Sequence, residues 1–264
     1  MAFARIGDQL LHYRLDGPAE ARVLVFANSL GTDLRIWDAV AAGLDGRYRL
    51  LTYDKRGHGL SGAPPGPYPL DAHTGDLIGL LDQLGIERFG LVGISVGGMI
   101  AQALAARAPE RVEALVLADT AARIGTPEMW NARIAAVEAG GLGAIADAVM
   151  QRWFSPSFIA ERPVELDGWR NLLLRTPVEG YAGTCAAIRD ADLSAAVATI
   201  ARRTLVVAGA DDQSTPPALV AATAALLPDG AFVTIPGAGH LPPIEQPAAF
   251  THLLQRYFAE VGFA

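Results

Sequence analysis

Residues 89–104 read Phe89-Gly90-Leu91-Val92-Gly93-Ile94-Ser95-Val96-Gly97-Gly98-Met99-Ile100-Ala101-Gln102-Ala103-Leu104. The apolar run 89–92 suits a buried strand and residues 98–104 suit a helix, so Gly93 to Gly97 must join the two through a sharp turn. Glycines on both sides of Ser95 permit that bend and leave the hydroxyl exposed at its apex, above a sheet. Ser95 is therefore a candidate nucleophile. The same five-residue pattern also occurs in plain glycine-rich turns before helices, so its weight depends on partners elsewhere in the chain.

A serine hydroxyl attacks an acyl carbon only when a histidine takes its proton, and that histidine needs a carboxylate to hold its tautomer and steady its charge. On a strand–turn–helix bend of this kind the partners follow in the order Asp or Glu, then His. The apolar run 204–208 is followed by Gly209-Ala210-Asp211-Asp212-Gln213-Ser214-Thr215-Pro216-Pro217, and the run 231–235 leads into Gly237-Ala238-Gly239-His240. Both runs read as buried, parallel-type strands, so both polar segments leave the sheet at one edge, where open α/β sheets place ligands.

Five histidines compete for the role of base. His12 lies in a strand-like stretch, His73 in a helix-like stretch after Pro69, and His252 on the C-terminal helix pattern. His58, in Asp54-Lys55-Arg56-Gly57-His58-Gly59, suits a structural turn after the strand 50–53. His240 alone follows a late strand in a glycine-rich loop, and it is the expected base. Of the adjacent Asp211 and Asp212, only one can face the imidazole. Asp212, three residues before Thr215-Pro216, is the expected partner, which leaves Asp211 to cap or to face solvent.

Acyl transfer also needs donors aimed at the oxygen that gains charge. The N–H of Val96, at the start of the helix, is one. The loop Asn28-Ser29-Leu30-Gly31-Thr32-Asp33, after the strand-like run 23–27, is expected to supply the other from the backbone of Leu30. The same loop also suits a plain strand-to-helix connection capped by Thr32 or Asp33, a reading compatible with catalysis.

With these residues in place, the chain resembles the α/β-hydrolase superfamily over essentially its whole length. Three stretches resemble 3-oxoadipate enol-lactonases: residues 28–33 with Trp37, residues 93–98, and residues 120–130. Many esterase-like relatives carry a histidine and a glycine where this chain has Asn28 and Ser29. The resemblance implies an α/β fold with a mostly parallel sheet of the eight-stranded type, flanked by helices and covered by an inserted helical cap. It further implies hydrolysis of a five-membered enol-lactone bearing an acetate side chain, giving 3-oxoadipate in the breakdown of aromatic acids. A small-ester carboxylesterase and a cofactor-free perhydrolase or haloperoxidase are the neighbouring readings. A noncatalytic receptor or scaffold of the same fold is the reading from another class.

Composition is consistent with one core domain: 264 residues, 51% of them apolar types. Lys and Arg number 21 against 28 Asp and Glu, for a net charge of −7. No basic block interrupts the chain, which argues against nucleic acid or an anionic membrane as partner. An anionic substrate in a net-negative protein calls for a local cation. Residues 122–191, between the strand 112–118 and the strand beginning at 204, read as helices over 128–138, 142–154, 163–175 and 178–189. They form the expected cap, with residues 1–121 and 192–264 as the core. Trp130 and Arg133, spaced i, i+3 on the first of these helices, are expected to pack on the lactone ring and to grip its carboxylate. The bland alternative is a surface arginine beside a core tryptophan. Trp153 is a further candidate wall, although adjacent aromatics such as Trp153-Phe154 also suit the core of a cap.

The first residues carry no long apolar stretch or cleavage pattern, and no apolar run reaches the roughly 18 residues of a membrane span. Cys185 is the only cysteine, so no internal disulfide forms, as suits a reducing cytosol, and a packing role is expected for it. No histidine, cysteine or carboxylate cluster has metal-ligand spacing and no phosphate loop appears, so no metal or other cofactor is expected. The Pro/Gly-rich stretch 61–67 reads as a surface loop, and oligomeric state, including a homo-oligomer, stays open.

Overall fold

Eight strands line up in one sheet: β1 (Ala2–Ile6), β2 (Gln9–Asp16), β3 (Val23–Ala27), β4 (Arg49–Tyr53), β5 (Phe89–Ile94), β6 (Val112–Ala118), β7 (Thr204–Gly209) and β8 (Gly230–Ile235). Their spatial order is β1-β2-β4-β3-β5-β6-β7-β8. Only β1–β2 and β2–β4 pair antiparallel; the other pairs are parallel. The computed structural model describes residues 1–44 and 46–263.

Every residue of β5 and β7 is buried, and all but one of β6. That is why these strands read as continuous apolar runs: helices cover both faces of a parallel sheet. Val96–Arg107 packs against β5 and β6, and Pro217–Ala224 follows β7, with Pro247–Glu260 closing the chain. The run 231–235 departs from its reading as a buried strand. In β8 burial alternates and Phe232 is exposed, because this strand forms the edge of the sheet and has one wet face.

The turn after β5 has the geometry that its glycines foretell. Ser95 adopts φ 57° and ψ −123°, in the half of backbone space that side chains avoid. A Cβ on Gly93 would lie 2.3 Å from the carbonyl oxygen of Gly97, and one on Gly97 would lie 2.1 Å from that of Ala27. Neither position has room for a side chain, since backbone rather than a flexible group is in the way. Gly97→Ala must therefore push the helix away from β3, and we expect it to cost about 4 kcal/mol of stability, the upper end for single substitutions. Urea unfolding checks this; a loss below about 1 kcal/mol would contradict the packing described here.

Between β6 and β7 the chain forms the helices Pro127–Gly140, Ala146–Trp153, Pro156–Glu161, Pro163–Leu174 and Val178–Asp190. The single helix expected over 142–154 is in fact two pieces. A 3₁₀ turn at Leu142–Ala144 precedes Ala146–Trp153, after Gly141 breaks the chain at φ 66°. The helix Pro156–Glu161 was not expected, although its signal is present: the Ser155 hydroxyl accepts from the N–H of Phe158, with Pro156 at the first helical position. Among the described residues, no helix is long and apolar enough to cross a membrane.

Candidate active site

Three strand ends bring the chemistry together at the carboxyl edge of the sheet. β5 delivers Ser95, the loop after β7 delivers Asp212, and the loop after β8 delivers His240. Nδ1 of His240 lies 2.9 Å from Oδ2 of Asp212. Asp212 also accepts from the hydroxyl of Thr215 (2.7 Å) and from the N–H groups of Ser214 (2.7 Å) and Thr215 (3.1 Å). Burial opposes its ionisation, but the facing imidazole and these donors outweigh burial and hold its pKa below the ordinary carboxylate value. Asp211 is exposed to solvent, so it is Asp212 that faces the imidazole.

His240 and Ser95 line the same cavity. No hydrogen bond joins the Ser95 hydroxyl to the imidazole, a looseness common in sites without substrate. The backbone of Ser95 is held firmly: its N–H donates to the Ala118 carbonyl (3.0 Å) and its carbonyl accepts from the Thr120 hydroxyl (2.7 Å). The loop bearing His240 is tied down as well. Its N–H donates to the Trp153 carbonyl (2.9 Å), and the buried carboxylate of Glu245 accepts from Gly239 (2.7 Å) and Ser155 (2.9 Å).

The N–H of Val96 is the first of its helix and has no acceptor among the described residues. The N–H of Leu30 likewise has none, while its neighbours are spoken for: Gly31 donates to Nε2 of His58 (3.0 Å) and Thr32 to the Ser29 carbonyl (3.3 Å). Gly31, at φ 73°, makes this a tight turn of the kind that requires glycine at its third position. Leu30 lines the cavity with Ser95. Asp33 caps the short 3₁₀ helix Leu34–Trp37 that follows.

The cavity is narrow, about 40 Å³, room for only a few waters. A larger one of about 580 Å³ opens between Arg14, Arg35 and Arg175, but neither Ser95 nor His240 lines it. Trp130, Arg133 and Trp153 all line the narrow cavity, joined by Ile124, Met129, Arg152 and Tyr181. Thr126 caps the helix that carries Trp130 and Arg133. The indole N–H of Trp130 donates to the Ile124 carbonyl (2.6 Å), and the Arg133 guanidinium lies 5.2 Å from the indole centre. Among the described residues, neither Arg133 nor Arg152 has a carboxylate within ion-pair distance. Cys185 is buried, and burial pushes its thiol up to about 12, so it is inert and serves packing.

Sequence reasoning missed Asp119. It directly follows β6 at φ 43°, is fully buried, accepts from the N–H of Gly209 (2.7 Å) and brings an oxygen within 4.8 Å of the ligating atoms of Asp212 and His240. Burial, reinforced by the charge of Asp212, raises its pKa well above the ordinary carboxylate value. An acidic residue at the carboxyl end of a central strand was the signal available. Arg152 was also missed, since only folding turns it toward the cavity.

A family model described as the alpha/beta hydrolase fold matches residues 22–247. The chain belongs to that family. It is 37% identical over 257 residues to a 3-oxoadipate enol-lactonase of Acinetobacter baylyi, covering 94% of this chain and 92% of that one. Among solved structures, the enol-lactonase of Burkholderia xenovorans superposes with a TM-score of 0.95 at 40% identity, covering 98% of this chain and all of that one. A thermophilic esterase from Thermogutta terrifontis superposes with a TM-score of 0.91 at 30% identity, covering 98% of each chain.

Proposed function

We propose that this chain opens the ring of 3-oxoadipate enol-lactone to give 3-oxoadipate, a step in the catabolism of aromatic acids. In outline it is an ester and lactone hydrolase; the substrate and the mechanism are our reading. The observation that carries the reading is the pair of guanidiniums, Arg133 and Arg152, that have no carboxylate within ion-pair distance among the described residues and line a small cavity shared with Ser95 and His240. A neutral ester would have no use for them, whereas a small acid bearing a lactone would.

In this reading Ser95 attacks the lactone carbonyl as His240 takes its proton, and Asp212 steadies the imidazolium. The oxygen that gains charge is met by the N–H groups of Leu30 and Val96. The enol leaves with a proton from His240 and relaxes to a ketone, so the ring does not close again. Water activated by His240 then frees the second carboxylate. The helices between β6 and β7 act as a cap that excludes bulk water and sets the size of the acyl group.

The ratio of kcat/KM for the lactone to that for p-nitrophenyl acetate tests the substrate. A strong preference for the lactone is expected; activity on the acetate ester alone would keep the mechanism and overturn the substrate. Arg133→Ala is expected to raise KM for the anionic lactone about 10- to 100-fold, the worth of a charge-assisted contact, and to leave KM for the neutral ester nearly unchanged. Equal effects on the two substrates would remove Arg133 from carboxylate binding.

A further inference from the structure

Lys55 is 1% exposed, a lysine wholly inside the protein and outside the lining of the cavity that Ser95 and His240 share. Burying an ammonium is costly, so its partners must compensate. They are two backbone carbonyls of a single turn: Nζ donates to the carbonyl of Ser29 (2.5 Å) and more weakly to that of Thr32 (3.4 Å). The Ser29 carbonyl also accepts from the hydroxyl of Thr32 (2.8 Å) and from its N–H (3.3 Å). Three donors therefore hold this one oxygen.

That oxygen belongs to the same peptide unit as the N–H of Leu30. A trans peptide is planar, and its C=O and N–H point in opposite directions. Fixing the carbonyl toward Lys55 thus fixes the unpartnered N–H of Leu30 away from it. A cation on the carbonyl oxygen also draws electron density from the nitrogen, which makes the N–H a stronger donor. On the other side of Leu30, the N–H of Gly31 donates to Nε2 of His58, whose Nδ1 then carries the hydrogen toward the Arg56 carbonyl (3.1 Å). That tautomer requires a neutral ring, and burial, with Lys55 adding to it, holds the His58 pKa well below its ordinary value.

We infer that Lys55 is a positioning residue for the reaction: its ammonium orients and polarises the Ser29–Leu30 peptide so that the Leu30 N–H is preorganised for the oxyanion. The inference rests on the reading of Leu30 as an oxyanion donor. It goes beyond it by assigning a function to a buried cation that touches no substrate.

Charge on Lys55 then matters to rate. Burial lowers its pKa to about 7, opposed by Asp54 and Asp33; the other titratable groups facing it are His58 and His73, both held neutral by burial. Raising the pH through that value removes the charge while leaving an amine that still hydrogen-bonds. Wild-type kcat is therefore expected to fall along an alkaline limb near pH 7.

The test compares wild type, Lys55→Gln, Lys55→Met and Ser95→Ala, with p-nitrophenyl acetate as substrate and phenylboronic acid as a probe whose serine adduct carries the oxyanion. Lys55→Gln, which keeps a donor and loses the charge, should lower kcat about 10-fold with KM within twofold, and should lack the alkaline limb. Lys55→Met should lower kcat about 100-fold, approaching the loss of a whole oxyanion donor. Affinity for phenylboronic acid should fall in step with kcat/KM. Folded variants with kcat and boronate affinity within threefold of wild type would overturn the inference, as would losses confined to KM. If neither variant folds, the wild-type profile decides: a kcat flat from pH 7 to pH 9 overturns it. Ser95→Ala as active as wild type would sink the hydrolase reading itself, a separate failure.

Discussion

Ser95→Ala is expected to lower kcat for the lactone by about 10⁶-fold while leaving the fold intact. The two halves of that expectation have different grounds. Stability should hold because the Ser95 hydroxyl makes no hydrogen bond within the described residues, and the contacts of its turn run through the backbone N–H and carbonyl, which alanine keeps. The strained φ of 57° is common to both side chains. Activity should collapse because no other serine or threonine lining the cavity sits on such a bend: Ser29 lies in the turn before Gly31, and Ser214 and Thr215 lie in the loop whose N–H groups donate to Asp212. Steady-state kinetics with a thermal melt checks both; a variant retaining more than about a hundredth of wild-type kcat would show that Ser95 is not the nucleophile.

Asp212→Asn is expected to lower kcat about 10⁴-fold with little change in KM. An amide facing Nδ1 of His240 no longer selects the tautomer that leaves Nε2 free to accept the serine proton, and it does not steady the imidazolium that follows. The loss should be tempered by Asp119. Burial and the charge of Asp212 both raise the pKa of that carboxyl, and removing the charge lets it ionise more readily beside the imidazole. Adding Asp119→Asn should therefore deepen the defect of Asp212→Asn beyond the product of the two single effects. A single Asp212→Asn variant within tenfold of wild type would contradict the assignment of Asp212.

Much of this was readable in the chain because the signals are local. The strand, turn and helix around Ser95 occupy sixteen consecutive residues, and Gly93 is explained within them, by the close approach of the Gly97 carbonyl. Asp212 and His240 each follow an apolar strand directly, so their place at the sheet edge follows from strand direction alone. What escaped depends on distant packing. Lys55 and His58 read as parts of a loop, yet their partners, Ser29, Gly31 and Thr32, lie more than twenty residues earlier. Asp119 has no partner nearby in sequence; folding alone sets it beside Asp212. The wet face of β8 comes from its being the last strand, a fact of topology rather than of the run 231–235 itself. The break at Gly141 was legible in principle, since Gly140-Gly141 stands in the middle of the stretch, but amphipathic spacing on both sides masks it.

In the proposed reaction the lactone is opened on Ser95 through a covalent acyl-enzyme. Acid-quenched mass spectrometry of the enzyme during turnover of 3-oxoadipate enol-lactone is the decisive experiment. A ring-opened lactone keeps its leaving group tethered, so a protein heavier by the whole mass of the substrate is expected, with the added mass on the peptide containing Ser95 and absent from Ser95→Ala. Turnover with no adduct on that peptide, or an adduct that persists in Ser95→Ala, would contradict it.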